Sequence, residues 1–487
     1  MVGSIFPSIL FTEVVVCYHG SWATYRHGVG KFDVDRINPH ICTHLIYAFV
    51  GINTQGTVIS LDPYLDLPDN WGRDNFRKFN ALKQSNPKLK TILAVGGWNE
   101  GSAKYSRMAA SASLRKNFVD SALKMVTDYG FDGLDLDWEY PNRRDTVHGV
   151  ADIDNFTQLI KELREAFDEH GLLLTAAVSS VEAAASHSYD IPAISKYLDL
   201  INIMTYDMYG AWDAVTGHNA PLHKGEGDEG VAAESLFTVD QALAYWIREG
   251  CPPEKIVVGI PLYGRTFRLS NANVNGVRAP ASGAGISGPF TATAGVVGYN
   301  EFCNMLQTES WTQRYDSLAK VPYAIRDSNW VSYDNVQSVI DKVEYAKSLG
   351  LAGTMVWSIE SDDFNNICGN GDYPLLRAIN KALDDTAVTE SPAQSTTVAV
   401  STTMVSSTST TGSTTNSTST TPPESIESVI CKQEGYAINP LDCSSFYMCV
   451  KTATEEFDPV LFFCPTTLYW DQRRLICNYA TLVECNT

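Results

Sequence analysis

Short apolar runs alternate with amphipathic segments along most of the chain. The runs are continuous in Val, Ile and Leu, as is typical of parallel strands that are buried on both faces. Between them, segments such as 152–169 and 336–349 repeat apolar residues with the period of an α-helix. The pattern predicts eight strands, at 14–19, 44–50, 91–98, 133–140, 172–179, 198–207, 255–263 and 353–359.

Eight such strands separated by helices predict an α/β fold, a closed (β/α)8 TIM barrel. In this architecture the functional side chains gather at the C-terminal ends of the strands. The stretch from about 265 to 328 is too long for an ordinary loop, so we expect a small α+β insertion there, before the last helix and along one side of the cleft. The first domain is predicted to span residues 1–384.

The composition changes sharply after the barrel. Between residues 401 and 421 all but four residues are Ser or Thr, and such a segment cannot bury a core. Residues 385–428 are therefore predicted to form a linker, either an O-glycosylated stalk or a plain flexible tether. Asn155 and Asn416 begin N-glycosylation sequons.

The formal net charge is −20, which argues against nucleic acid or an anionic membrane as a partner. The same acidity could simply keep the protein soluble. No apolar run is long enough to span a bilayer. We therefore expect neither nucleic acid nor a membrane among the partners.

The cysteines divide into two groups. Six of the eleven lie between Cys431 and Cys485, and this density predicts a small β domain at 429–487 that is held by disulfides in an oxidising compartment. The odd total leaves at least one thiol unpaired, and Cys251 is our candidate. Secretion is the expectation, although no Lys or Arg precedes the apolar N-terminus and a signal peptide is not clearly visible.

The fourth predicted strand carries an unusual row of acids. Asp135, Asp137 and Glu139 alternate along it, so they share one face at steps of about 6.6 Å, whereas Asp132 has the opposite parity. Like charges this close raise the proton affinity of at least one member, as a general acid near neutral pH requires. An ion-paired polar layer or a metal site is the alternative, although metal sites more often recruit acids from several loops. We predict no metal and no cofactor.

The run 132–139, DGLDLDWE, resembles the DxxDxDxE signature of glycoside hydrolase family 18, the chitinase family. Three further segments resemble the strand motifs of that family: KTILAVGGW at 90–98, MTYD at 204–207 and GTMVWSIESDDF at 353–364. The resemblance covers essentially the whole first domain. It implies a retaining hydrolase of N-acetylglucosamine polymers in which the acetamide of the substrate is the nucleophile.

The resemblance also assigns roles to single residues. Glu139 would protonate the glycosidic oxygen, and Asp137 would hold the acetamide N–H. Asp135 would share a proton with Asp137 and help to raise the pKa of Glu139, while Tyr206 would bind the acetamide oxygen. The other candidate substrate-binding residues are Trp357, Trp98, Met204, Asp207, Tyr140, Tyr18, Phe49, Gly97, Trp212, Tyr263 and Arg265, with Trp22 and Trp71 as further subsite aromatics.

Cys17 and Cys42 lie on consecutive predicted strands and could form a disulfide, as the resemblance to similar chitinases implies. Cys303 and Cys368 could tie the insertion to the end of the barrel, and buried free thiols are the alternative. The six C-terminal cysteines permit fifteen pairings. Their spacing resembles that of the peritrophin-A type chitin-binding domain, carbohydrate-binding module family 14, which implies Cys431–Cys449, Cys443–Cys485 and Cys464–Cys477. Tyr469 and Trp470 would either stack on chitin or form the small core.

Three other functions are open to such a sequence. Chitinase-like lectins of the family have lost the terminal acid of the signature, but Glu139 is present here. A structural cuticle or gut-lining protein would leave the barrel motifs unexplained. An endo-β-N-acetylglucosaminidase would share the signature but would not need a chitin-binding module. The joint architecture resembles that of arthropod chitinases, so we expect a monomeric, secreted, endo-acting chitinase whose partners are chitin and chitooligosaccharides.

Overall fold

The computed structural model describes residues 13–232, 235–384, 435–438, 444–451, 457–463, 468–471 and 476–479. Its contacts divide the chain into two compact units at Glu390 and Ser391. The predicted linker at 385–428 and the first 12 residues lie outside the described ranges. Among the described helices, none combines the length and the apolarity that crossing a bilayer would require.

The first unit is a closed barrel of eight parallel strands, which confirms the predicted TIM fold. The strands pair in a ring because the first strand contacts both the second and the last. In chain order they are β1 (Val14–Gly20), β2 (His44–Ile52), β4 (Lys90–Gly96), β5 (Gly133–Asp137), β6 (Leu173–Ser179), β7 (Leu200–Met204), β8 (Ile256–Pro261) and β15 (Gly353–Trp357). A short strand, β3 (Val58–Ser60), adds to β2 in the antiparallel direction.

Five of these strands (β4, β5, β7, β8 and β15) end two or three residues earlier than the apolar pattern predicts, and β5 and β7 differ most. The ladder between β4 and β5 closes at the pair Gly96–Asp137, where the Gly97 N–H donates to the Asp137 carbonyl at 2.8 Å. β5 therefore ends at Asp137 and not at residue 140, and β7 ends at Met204 and not at residue 207. The aromatic residues beyond these ends are buried by packing rather than by strand pairing, so the pattern of hydrophobicity continues past the strands.

Helices follow the barrel strands on the outside. The predicted segments 152–169 and 336–349 form α5 (Ala151–Asp168) and α10 (Val336–Ser348). The other helices of the barrel are α1 (Pro63–Asp66), α2 (Asn75–Ala81), α3 (Ala103–Ala110), α4 (Ala112–Tyr129), α6 (Glu182–Ala185), α7 (Ile191–Tyr197), α8 (Val239–Arg248) and α11 (Pro374–Asp384).

Side chains alternate between two cores along each barrel strand, as the pleat of a strand requires. Val15 and Cys17 of β1 belong to the large core between barrel and helices, whereas Val16 and Tyr18 point into the barrel. On β5 the same alternation sends Leu134 and Leu136 outward. The acids between them must therefore face the barrel interior.

The insertion lies between β8 and α10, and β15 and α11 follow it. Its antiparallel sheet consists of β9 (Tyr263–Leu269), β10 (Ala281–Ala284), β11 (Val296–Gly298), β12 (Thr312–Asp316), β13 (Val321–Arg326) and β14 (Asn329–Ser332). One helix, α9 (Tyr299–Thr308), packs within it. A disulfide between Cys303 of α9 and Cys368 ties the insertion to the segment after β15.

Cys17 and Cys42 form a second disulfide, which links β1 to the start of β2. Cys251, the candidate for the unpaired thiol, is free and buried. Cys303, Asp363 and Cys368 lie close enough to hold a metal ion, but the two sulfur atoms are joined to each other. This cluster is therefore a structural crosslink.

The described part of the second unit is all β. A three-stranded antiparallel sheet contains β16 (Gly435–Ile438), β17 (Ser445–Lys451) and β18 (Phe457–Phe463), and a hairpin joins β19 (Leu468–Asp471) to β20 (Ile476–Tyr479). Cys449 is in a disulfide, and Tyr469 is partly exposed. The expected partners of the C-terminal cysteines and the side chain of Trp470 lie outside the described residues.

Candidate active site

The acidic row of β5 runs from the barrel interior to its mouth. Asp135 and Asp137 are 0% and 3% exposed, whereas Glu139 lies two residues beyond the strand and is partly exposed. Trp138 has the opposite parity and packs outward, with its indole N–H donating to Ser102 Oγ at 3.0 Å. The three acids thus lie at increasing height on one side, as their spacing predicts.

Asp135, at the bottom, is surrounded by hydrogen-bond donors. The hydroxyl of Tyr18 donates to its Oδ2 at 2.7 Å. The Thr175 hydroxyl donates to its Oδ1 at 2.5 Å, and the Asn202 amide donates to the same oxygen at 3.2 Å. Burial raises the pKa of Asp135 to about 6, while the three donors oppose that rise. Because donors occupy its oxygens, this carboxylate is built to carry a charge and not to bind a metal ion.

Asp137 is in the opposite situation. Its Oδ1 accepts no hydrogen bond from any residue that the structure describes. Burial, followed by the charges of Glu139 and Asp135, raises its pKa well above the ordinary value. Asp137 therefore lacks the donors that favour ionisation of Asp135, and an N–H group entering from the cleft would find an unused acceptor.

Glu139 has a pKa that burial raises to about 7, in the range that suits a general acid near neutral pH. Its hydrogen bond from Tyr140 opposes the rise, the charge of Asp207 adds to it, and the charge of Arg144 reduces it. The backbone carbonyl of Glu139 accepts bonds from Ser102 Oγ at 3.2 Å and from Arg144 at 3.1 Å. The acid therefore sits on a fixed backbone between charges of both signs.

Glu139 opens into a cleft of about 290 Å³. Ten residues line this cleft. Five of them are predicted site residues, and the sequence did not point to the remaining five. The lining consists of Glu139, Tyr140, Met204, Tyr206 and Asp207, with Arg143, Ser179, Ser180, Val181 and Ala184. A larger cleft of about 410 Å³ lies along α9 and contains none of the predicted site residues.

Asp207 is held in place on one side of the cleft. Its backbone is left-handed, with φ at 58°, and its N–H donates to Asn219 Oδ1 at 2.9 Å. Its carboxylate accepts the Tyr263 hydroxyl at 2.5 Å and pairs with Arg265 at 2.6 Å. Surroundings that fix a strained residue so fully are common at functional sites.

Tyr206, beside Asp207, is 8% exposed and lies inside the barrel mouth. Its ring makes an edge contact with Tyr263 at 6.1 Å. Burial raises the pKa of the Tyr206 hydroxyl, so the group stays protonated. Its O–H donates to Met355 Sδ at 3.8 Å, a weak acceptor that a ligand oxygen in the cleft would replace.

Aromatic rings form the floor beside the acids. Trp357 is partly exposed at the end of β15, stacks on Phe49 at 5.7 Å and leans against Tyr18 at 5.3 Å. Trp22, 44% exposed, lies 6.1 Å from the same ring. A Cβ on Gly97 would come within 2.6 Å of the Phe49 ring, so only glycine permits this approach. A flat apolar surface of this kind suits the C–H face of a sugar.

Three further tryptophans are strongly exposed. Trp98 and Trp212 are 57% and 60% exposed, and each has an arginine against its ring. The guanidinium of Arg144 lies 3.6 Å from the centre of Trp98, and that of Arg265 lies 5.0 Å from Trp212. Trp71 is 97% exposed. Exposed rings are available to a ligand without any repacking of the core.

Sequence reasoning missed the residues that support the site. Thr175 and Asn202 hold Asp135, and each is a lone polar residue inside an apolar strand, which was a usable signal. Ser102 and Arg144 hold the backbone of Glu139, but they lie outside the strands, where no periodicity marks them.

Comparison with known proteins assigns the fold and the acidic row to a family. Residues 14–362 match the model of glycosyl hydrolases family 18, and residues 431–485 match that of the chitin binding Peritrophin-A domain. "Probable chitinase 2" of Drosophila melanogaster is 42% identical over 415 residues, which are 78% of this chain and 83% of the relative. The "Endochitinase" of Manduca sexta is 39% identical over 79% of this chain and 70% of its own length.

Among solved structures, the Group IV chitinase of Ostrinia furnacalis is 59% identical, with a TM-score of 0.75 over 76% of this chain and 99% of that one. The family match covers all eight barrel strands, including the acidic row of β5 and the cleft above it. The chain therefore belongs to glycosyl hydrolase family 18 and carries a C-terminal domain of the chitin-binding peritrophin-A type.

Proposed function

We propose that this family 18 hydrolase is an endo-acting chitinase, which cleaves the β-1,4 bonds between N-acetylglucosamine units with retention of configuration. One observation carries the assignment of the acid: Glu139 is the only member of the row 135–139 that is both partly exposed to the cleft and has a pKa near 7. A group with these properties can donate a proton to a glycosidic oxygen at neutral pH.

The nucleophile is the acetamide carbonyl oxygen of the substrate. A protein carboxylate in that role would have to lie free in the cleft, and neither neighbour of Glu139 does. Asp137 is 3% exposed, and Asp207 is engaged by Tyr263 and Arg265. Both observations support substrate assistance, the exception to the scheme with two catalytic carboxylates.

Asp137 and Tyr206 position that acetamide. The unpartnered Oδ1 of Asp137 accepts the acetamide N–H, which turns the carbonyl oxygen toward C1, and the buried Tyr206 hydroxyl donates to the acetamide. Asp135 remains charged below them and keeps the proton affinity of Asp137 high. Trp357 forms the floor under the same sugar.

The test is Glu139→Gln, which keeps the size of the side chain and removes the proton donor. Hydrolysis of chitotetraose should fall by at least a thousandfold in kcat, on the order of the loss expected for an essential catalytic group, while the affinity for the oligomer stays within about twofold. The barrel should melt at the temperature of the parent protein. Turnover within tenfold of the parent would exclude Glu139 as the acid.

The remaining parts of the chain fit an extracellular enzyme that acts on a solid polymer. Two disulfides in the first unit and the cysteine-rich module support secretion, because such crosslinks persist in oxidising compartments. We assign residues 1–384 to catalysis, 385–428 to a tether and 429–487 to chitin binding. A tethered binding module raises the effective concentration of polymer at the cleft.

A further inference from the structure

Arg144 connects two parts of the active site that come from different strands. It lies in the loop after β5, seven residues beyond the end of that strand, and it is partly buried. Its Nη1 donates to the Glu139 carbonyl at 3.1 Å and to the Trp98 carbonyl at 3.0 Å. One guanidinium thus holds together the backbone of the acid and the backbone at the end of β4.

The same guanidinium also covers an indole. Its central carbon lies 3.6 Å from the centre of the Trp98 ring, close enough for direct stacking. Trp98 is nevertheless 57% exposed, so the arginine covers part of the ring and leaves the rest open. A planar cation stacked on an aromatic face restricts the rotation of the ring, which an exposed tryptophan would otherwise retain.

The backbone leading to Trp98 contains two glycines. Gly96 and Gly97 both have positive φ, 122° and 87°, so the chain leaves strand geometry just before the indole. Arg144 approaches from the loop after β5, the strand that pairs with β4, and fixes the orientation of the indole relative to Glu139. A sugar that stacks on the open part of Trp98 would therefore be set in distance and angle to the acid.

We propose that Arg144 is a positioning residue, which orients Trp98 as a sugar-stacking surface and sets the backbone and the charge around Glu139. This inference rests on the proposed role of Glu139 as the acid. Arg144 acts through these two neighbours and need not touch the bond that is cleaved.

The charge of Arg144 gives the inference a signature that a purely structural residue would not have. The groups whose charge or titration is coupled to the Glu139 carboxyl are Asp137, Tyr140, Arg144, Tyr189, Tyr206 and Asp207. Of these, Arg144 is the cation; a second arginine, Arg143, also lines the cleft. It lowers the pKa of Glu139, so its removal should raise that pKa and keep the acid protonated to higher pH.

Two substitutions separate the stacking from the charge. Arg144→Met removes both, and Arg144→Lys keeps the charge but loses the planar group. Arg77→Met is the matched control, because Arg77 is an exposed arginine of α2 whose guanidinium lies 5.1 Å from the Tyr129 ring, and it is not part of the site.

Affinity is measured first, by calorimetry with chitotetraose in a Glu139→Gln background, where turnover cannot interfere. Both Arg144 variants should bind about fivefold more weakly than their parent, the loss expected for one stacked cation, and Arg77→Met should bind as the parent does. Unchanged affinity in Arg144→Lys or Arg144→Met would overturn the inference. If Arg144→Met does not fold, the lysine variant alone decides the question.

The pH dependence of kcat/KM is then measured in the active enzyme. The alkaline limb should move to higher pH in Arg144→Met and stay in place in Arg144→Lys. If the alkaline limb stays in place in both variants, or moves equally in both, the proposed effect of the Arg144 charge on Glu139 is overturned. Failure of the underlying assignment is distinct from both outcomes, because Glu139→Gln would then retain turnover whatever stands at position 144.

Discussion

Thr175 offers a direct test of how the acidic row is tuned. Its hydroxyl donates to Asp135 Oδ1 at 2.5 Å, and both side chains are at most 1% exposed, so neither can contact the substrate. Thr175→Val keeps the shape of the side chain and removes the donor. A hydrogen bond to a charged group contributes about 1.5–3 kcal/mol, and one pKa unit corresponds to about 1.4 kcal/mol. The pKa of Asp135 should therefore rise from about 6 by about one to two units.

The sign of the effect on activity follows from the roles of the two groups. The enzyme needs Asp135 ionised and Glu139 protonated, so activity falls on the acid side through the pKa of Asp135 and on the alkaline side through that of Glu139, near 7. Raising the pKa of Asp135 moves the acid limb of the pH profile toward the alkaline limb. The acid limb should move up by about one to two units, and the maximal kcat/KM should fall about fivefold, with little change in affinity.

The assay is a pH profile of kcat/KM on soluble chitotetraose, with Thr175→Ser as the variant that keeps the hydroxyl and should retain the parent profile. Thermal melting of each variant checks that the barrel is intact. An acid limb that stays at its original pH in a folded Thr175→Val enzyme would refute the idea that a charged Asp135 supports catalysis.

Two more predictions concern the nucleophile and the tether. Asp137→Asn should lower kcat at least a hundredfold with a much smaller change in affinity, because the substituted side chain can no longer carry the negative charge that stabilises the cyclised acetamide. NMR of the first products should still show the β-anomer. An α-anomer appearing first would rule out substrate assistance. Removal of the chain from residue 385 onward should leave kcat/KM on soluble oligomers within about twofold and reduce the rate on crystalline chitin about tenfold or more, as the loss of a tethered binding module predicts. An equal loss on both substrates would show that the segment serves the barrel and not the polymer.

Much of this fold follows from periodicity alone. Eight continuous apolar runs are sufficient to predict the barrel, and the parity of Asp135, Asp137 and Glu139 predicts that they share one side. The strand ends are less predictable, because Trp138 continues the apolar pattern although the ladder stops at Asp137. A hydrophobic pattern reports burial, and here burial extends beyond the hydrogen-bonded strand.

The residues that support the site also differ in whether the sequence could reveal them. Thr175 could have been recognised, since a polar residue inside an apolar strand needs a partner, and its partner is the acid on the neighbouring strand. Arg144 could not, because a charged residue in a loop is expected to be solvated unless its contacts are known. Its role depends on the approach of two loops, which no local pattern encodes.

The environment along the acidic row explains why the proton is available at its upper end. Asp135 is buried among three donors, which favour its ionised form despite burial. Asp137, above it, has an oxygen without a donor and a charge on either side, so it is the harder of the two to ionise. When Asp137 is neutral, it adds no negative charge beside Glu139. The pKa of Glu139 therefore stays near 7 and is not raised further. Substrate binding changes this balance, because an acetamide N–H that reaches Asp137 favours the ionised form of that residue. A newly ionised Asp137 in turn favours retention of the proton on Glu139, so the acid is best held in its active form when the nucleophile is in place.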